Sequence, residues 1–273
     1  MFSVLQYQFI QNALLAGSLV AVVSAFAGYF LLTRGLTFAG HALSHVGFAG
    51  AAAALVLGVD PIFGMLVFTV AAGIGIGILS KRLNERDINI GILLAFVLGL
   101  GALFIALYNG YAERAYSILF GTILGISKND ILITSIFSLV TLIALLVIFR
   151  PLLFSSFDPE VAEARGVPVK FLGIIFLILV AITVSMAVQV VGVLLVFTLL
   201  VGPAATAIRL VHKPVTAIIL AMALGLLYTW LGILLASGNN WPVSFYIATL
   251  SFAVYLPVRL LSVEDRQDKE ATV

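Results

Sequence analysis

The chain has 273 residues, of which 63% are hydrophobic and only 10% charged, with a mean hydropathy of +1.23 and a formal net charge of +2. A soluble domain carries about 25% charged residues, so the composition excludes a water-soluble globular protein and gives no basic surface for nucleic acid. The chain has no cysteine, which removes disulfides and thiolate metal ligation.

A helix needs roughly 20 apolar residues to cross a bilayer. Nine segments meet that requirement, over 9–33, 36–58, 61–80, 88–108, 130–149, 170–187, 188–208, 214–236 and 241–259. The first is too long for a signal-peptide core and has no basic region before it, so it reads as a retained helix. Asp60 and Pro61 supply a cap and a first-turn proline to the third span. Between the fourth and fifth spans, residues 115–126 (AYSILFGTILGI) are apolar but too short to cross, and read as a re-entrant or interfacial half-helix. Asp130 is positioned to cap the fifth span. The sixth and seventh are separated only by a break near Gln189 and Gly192, so eight or nine crossings are both compatible with the pattern. Residues 1–262 form one transmembrane domain and 263–273 a polar cytoplasmic tail.

The charges orient the bundle. With the N-terminus outside and nine crossings, 12 of the 14 basic residues fall in inside loops, and only Arg114 and Lys128 lie outside. That is the bias of the positive-inside rule. The 24 glycines, including Gly73, Gly75 and Gly77, read as close helix packing through small residues. Pro203 would interrupt the hydrogen-bond ladder of the seventh span and free the Leu199 carbonyl. A packed kink and a hinge beside the pathway are both consistent with it.

His41 and His45, in GHALSHVGFAG, are the side chains inside the spans that readily titrate. An ionisable group there is a functional hypothesis by default. The i, i+4 spacing puts both imidazoles on one helix face, where they can share one metal ion. Counting from residue 36, His45 lies roughly 13 Å into its span. The alternative is that both rings hydrogen-bond within the bundle. His212, beside Lys213, reads as an ordinary basic loop residue.

The inside loop SSFDPEVAEARGVPVK (155–170) encodes a short capped helix. Asp158 is an N-cap, Pro159 a first helical residue, and Glu160 complements the positive helix end. Ala162 is helix-compatible, Gly166 suits a left-handed stop, and Pro168 prevents continuation. The segment is either a tidy connector or a dock for a motor subunit.

FDPEVAEARGV resembles the coupling-helix motif of permeases in zinc-, manganese- and iron-type ABC importers. RGLTFAGHALSHVGFAGAA is similar to that family's second-helix region, SILFGTILGISKNDI to its outer half-helix, and VVGVLLVFTLLVGPAATA to its late broken-helix motif. The resemblance covers nearly the whole chain. It implies an all-α, type II-like importer permease with eight or nine spans in a bacterial inner (plasma) membrane, its N-terminus outside and a short cytoplasmic coupling helix. It implies separate ATPase subunits, a periplasmic or lipid-anchored metal-binding protein, and a second permease chain, read as an identical copy. The family's second-helix motif runs Gly-Asp, three residues, then His. Gly40 and His45 match, but His41 stands where Asp is usual. Thr122 likewise follows Phe120-Gly121 where an acidic residue is common, and Pro242-Val243-Ser244 matches the late proline-serine-glycine element only loosely.

The resulting expectation is a transport subunit without cofactor or catalytic residues, passing a divalent ion by His41 and His45. Zinc is preferred to manganese or iron, because His41 adds nitrogen and removes charge. Asp158, Pro159, Glu160, Ala162 and Gly166 form the ATPase-coupling element, and Gly192 and Pro203 the helix break or hinge. A membrane metalloprotease would need HExxH, whereas this chain has His41-Ala-Leu-Ser-His45. A self-coupled transporter would need further ionisable groups in its spans. The chain has no G-x-x-x-x-G-K-[ST] motif, so energy for active transport must come from another polypeptide.

Overall fold

The computed structural model describes residues 6–79, 83–108, 119, 121, 123–238 and 241–270. The helices in chain order are α1 (Gln8–Thr33), α2 (Thr37–Leu57), α3 (Pro61–Leu79), α4 (Leu83–Leu107), α5 (Lys128–Val147), α6 (Phe149–Phe157), α7 (Pro159–Ala164), α8 (Val169–Val191), α9 (Val193–Leu210), α10 (Pro214–Ala236) and α11 (Val243–Glu270). Among the described residues, nine helices are long and apolar enough to cross a membrane, all except α6 and α7. The chain is therefore an all-α, multi-pass membrane protein.

In lipid, hydropathy does not by itself decide which helix is buried. α2 is the least apolar of the nine, yet 72% of its apolar stretch is buried, whereas α4 shares the highest hydropathy and is only 17% buried. Hydrocarbon solvates apolar side chains as well as a core does, so small and weakly polar residues collect at helix contacts. α1 and α8 run through the middle of the bundle. α2 packs on α3 and α4, α3 on α8, and α9 joins α1, α10 and α11.

Three glycines decide the closest crossings. A Cβ built on Gly50 would strike the Gly64 carbonyl, and one on Gly64 would strike the Gly50 carbonyl. α2 and α3 thus touch backbone to backbone. Gly28 of α1 stands against the Leu200 carbonyl of α9 in the same way. Buried hydroxyls are mostly satisfied by their own helix, as with Ser44 to Gly40 O (3.1 Å), Thr183 to Leu179 O (2.8 Å) and Thr229 to Gly225 O (2.8 Å). Thr69 of α3 and Ser185 of α8 also bond each other at 2.8 Å.

The helix ends refine the sequence expectations. Asp60 accepts from the Ile62 amide at 2.9 Å, as a cap for α3 should. Asp130 is not the cap of α5. Ser127 is, and Asp130 closes the capping box by accepting from the Ser127 amide at 3.0 Å. The break between α8 and α9 is Gly192, at φ 82° and ψ 159°. Pro203 lies inside α9, which continues to Leu210. The expected half-helix over 115–126 falls largely outside the described residues, whose part of it includes a 3-10 turn at Ile123–Gly125. α6 was not anticipated; its Pro151 sits in the first turn, where a missing amide donor costs nothing. The polar segment after residue 262 continues α11 as helix to Glu270, because no glycine or proline stops it.

The ends at 34–36, 148–168 and 211–213 gather at one end of the bundle, where Arg34 donates to Ser155 Oγ at 2.9 Å. The opposite end joins Asn12 to the Ile126 carbonyl (3.1 Å) and Gln189 to Asp130 (3.0 Å).

Gly50→Ala or Gly64→Ala should destabilise the protein by about 1–3 kcal/mol. Gly75→Ala should be neutral or slightly stabilising, because a Cβ there meets nothing within 4 Å. Thermal unfolding of the three variants in one detergent checks this. The absence of native cysteine makes orientation directly measurable. Asn129→Cys should react with an impermeant maleimide added to intact cells, and Glu163→Cys only after permeabilisation.

Candidate functional site

His41 and His45 stand one turn apart on α2, both half-buried. Their ring centroids are 4.8 Å apart at 79°. Helix geometry brings the pair together, and two aromatic rings frame it. Phe197 of α9 lies edge-on to His41 at 5.2 Å, and Phe38 stacks at 6.5 Å and 22°. α2 is held in place by its backbone contact with α3, and Leu200 of α9 lies near Gly40. Phe197 therefore sits on α9 five residues after the Gly192 break, in contact with the first histidine. The sequence carried no signal for this neighbour.

The pair offers imidazole nitrogens as its donors. Among the described residues no group of three or more His, Cys, Asp or Glu side chains could hold a metal ion. Two donors make a weak site for a resident metal but an adequate stopping point for an ion in transit, which must leave as well as arrive.

The break itself is braced from the outer loop. Gly121, at φ 76°, approaches so closely that a Cβ would collide with the Val191 and Gly192 backbone. Nearby, the Gln189 side-chain amide donates through Nε2 to Asp130, while its Oε1 is buried without a hydrogen-bond partner among the described residues.

The predicted coupling element is local and complete. Asp158 accepts from the Val161 amide at 2.9 Å, Pro159 is the first helical residue, and Glu160 lies in the first turn. Gly166 adopts φ 84°. Its amide donates to Glu163 O (3.0 Å), and that of Val167 to Ala162 O (3.0 Å), which is the two-bond Schellman stop. Ala162 is buried and Glu160 exposed. The short helix thus turns a polar face outward and anchors through a methyl group. Arg165 stacks over Phe154 at 5.8 Å, fastening α7 back onto α6.

Residues 6–262 match the ABC 3 transport family. The chain belongs to that family. It is 34% identical over 230 residues, 84% of this chain and 82% of the other, to the manganese transport system membrane protein MntC of Listeria monocytogenes. It is 32% identical over 267 residues, 97% of this chain and 95% of the other, to the manganese import system permease protein ScaB of Streptococcus parasanguinis. Among solved structures it superposes on PsaBC from Streptococcus pneumoniae in complex with Fab with a TM-score of 0.83 and 30% identity, over 93% of this chain and 91% of that one. The family reached from the four sequence motifs is thus the family found. As an ABC 3 permease the chain is a multi-pass protein of a bacterial inner membrane, and it works with ATPase and substrate-binding subunits on other polypeptides.

Proposed function

We propose that this chain is the membrane permease of an ABC importer that carries a divalent first-row metal ion inward, with zinc the favoured cargo. The observation that carries this reading is the His41–His45 pair, two half-exposed imidazoles on one face of a spanning helix. Lipid is a poor neighbour for such a face. A second permease chain, an identical copy, covers it and adds donors to the two supplied here. A metal-binding protein delivers the ion from outside.

Zinc is favoured because imidazole suits it, whereas manganese prefers oxygen donors. Manganese is the second reading, and the names of the MntC and ScaB relatives speak for it. The Gly192 break and Pro203 give α9 a point about which to shift. Since Phe197 rests on His41, such a shift would uncover the pair. The segment Asp158–Gly166, with Pro159, Glu160 and Ala162, docks the ATPase.

Two measurements test this. Gly166→Val meets no steric obstacle, as nothing lies within 4 Å of its Cβ position, but it strains the left-handed stop by roughly 1–3 kcal/mol. Glu160→Lys opposes the helix dipole. Both should weaken co-purification of the ATPase while membrane insertion is unchanged; wild-type association in both would exclude the dock.

Uptake of labelled zinc and manganese into proteoliposomes containing the full transporter tests the pathway. His45→Ala should lower uptake of either ion by about tenfold or more. His41→Asp should raise manganese transport relative to zinc. Uptake should fall at acid pH, because a protonated imidazole neither ligates nor tolerates the cation. Unchanged rates and selectivity in both variants would leave the histidines structural.

A further inference from the structure

We propose that Arg34 is a positioning residue that couples the docking segment to the histidine-bearing helix. The inference rests on the docking reading of Asp158–Gly166 and deepens it. Arg34 caps the C-terminus of α1, three residues before α2 begins. Its Nη1 donates to Ser155 Oγ at 2.9 Å and to Ser156 Oγ at 3.4 Å. Its guanidinium also lies 6.0 Å from the centre of the Phe176 ring on α8. One side chain thus gathers the α1–α2 turn, the end of α6 and the inner part of α8.

Both ends of this link are stiff. Ser155 and Ser156 donate their own hydroxyls to Leu152 O, at 3.1 and 2.6 Å, which turns their lone pairs toward the arginine. Asp158, the cap of α7, follows two residues later. At the other end Gly35, at φ 63°, closes α1 with the Gly35 amide on Leu32 O (3.1 Å) and the Leu36 amide on Leu31 O (2.7 Å). The Gly40 amide then bonds Leu36 O at 3.2 Å, so the turn passes into α2 without slack. From Thr37, His41 lies about 6 Å along the helix axis and His45 about 12 Å. A displacement of α7 therefore reaches the imidazoles through one guanidinium and one tight turn. Arginine suits this task better than lysine, because one terminal nitrogen can donate to both hydroxyls while the planar guanidinium lies over an aromatic ring.

The test uses the complete transporter in proteoliposomes and reads metal uptake per ATP hydrolysed. Arg34→Ala should lower that ratio about tenfold, the scale of a charge-assisted hydrogen bond. ATPase subunits should still co-purify at wild-type stoichiometry, and hydrolysis should stay within about twofold of wild type. The double variant Ser155→Ala, Ser156→Ala keeps the arginine and should uncouple in the same direction. Combined with Arg34→Ala it should add nothing, as for groups acting through one contact. Arg34→Lys should recover part of the ratio.

Uptake and hydrolysis falling in proportion, a wild-type ratio in the alanine variants, or fully additive losses would each overturn the proposal. So would loss of the ATPase from Arg34→Ala, which would make the residue part of the dock or the fold. The docking reading fails separately, if Glu160→Lys and Gly166→Val bind the ATPase normally while the Arg34 variant is uncoupled.

Discussion

Inside a hydrocarbon slab every backbone N–H and C=O must find its partner within the protein, and the rest of this molecule follows from that requirement. It makes each crossing a helix and sends most buried hydroxyls back to carbonyls of their own helix, as at Ser44, Thr183 and Thr229. It also makes exceptions informative. The two imidazoles on α2 are the ionisable exception within the spans, half-buried and ring against ring at 4.8 Å.

Because lipid tails are as apolar as leucine, the bundle cannot be held together by hydrophobic burial alone. Close backbone approach takes its place. Gly50 against Gly64, and Gly28 against Leu200, bring α2 next to α3 and α9 next to α1. Those contacts set where the His41–His45 face points, and they bring Phe197 against it. The packing glycines and the surroundings of the two histidines are therefore one arrangement.

Helix termini do the remaining work. Left-handed glycines at 35, 58 and 166 end helices sharply and keep the connections after them short. Gly192 differs. Its ψ of 159° redirects the chain between α8 and α9, and the Gly121 backbone packs directly on it. The molecule thus joins a stiff inner end, where Arg34, Ser155 and the capped α7 meet, to a break braced from the opposite end by Gly121.

The sequence by itself determined the membrane class, eight or nine crossings with bounds close to those observed, the Gly192 break, the Asp158 cap with its Gly166 stop, and the histidine spacing. All of these depend on local composition or on neighbours within two helical turns. It misassigned the α5 cap to Asp130 and overlooked α6, nine residues (Phe149–Phe157) too short to register as a span. The tertiary structure decided the rest. Gln189 meets Asp130 across 59 positions and Arg34 meets Ser155 across 121, and Phe197 reaches His41 from another helix. No local pattern encodes such pairs, because they arise only when glycines let particular backbones touch and so fix which helix faces meet.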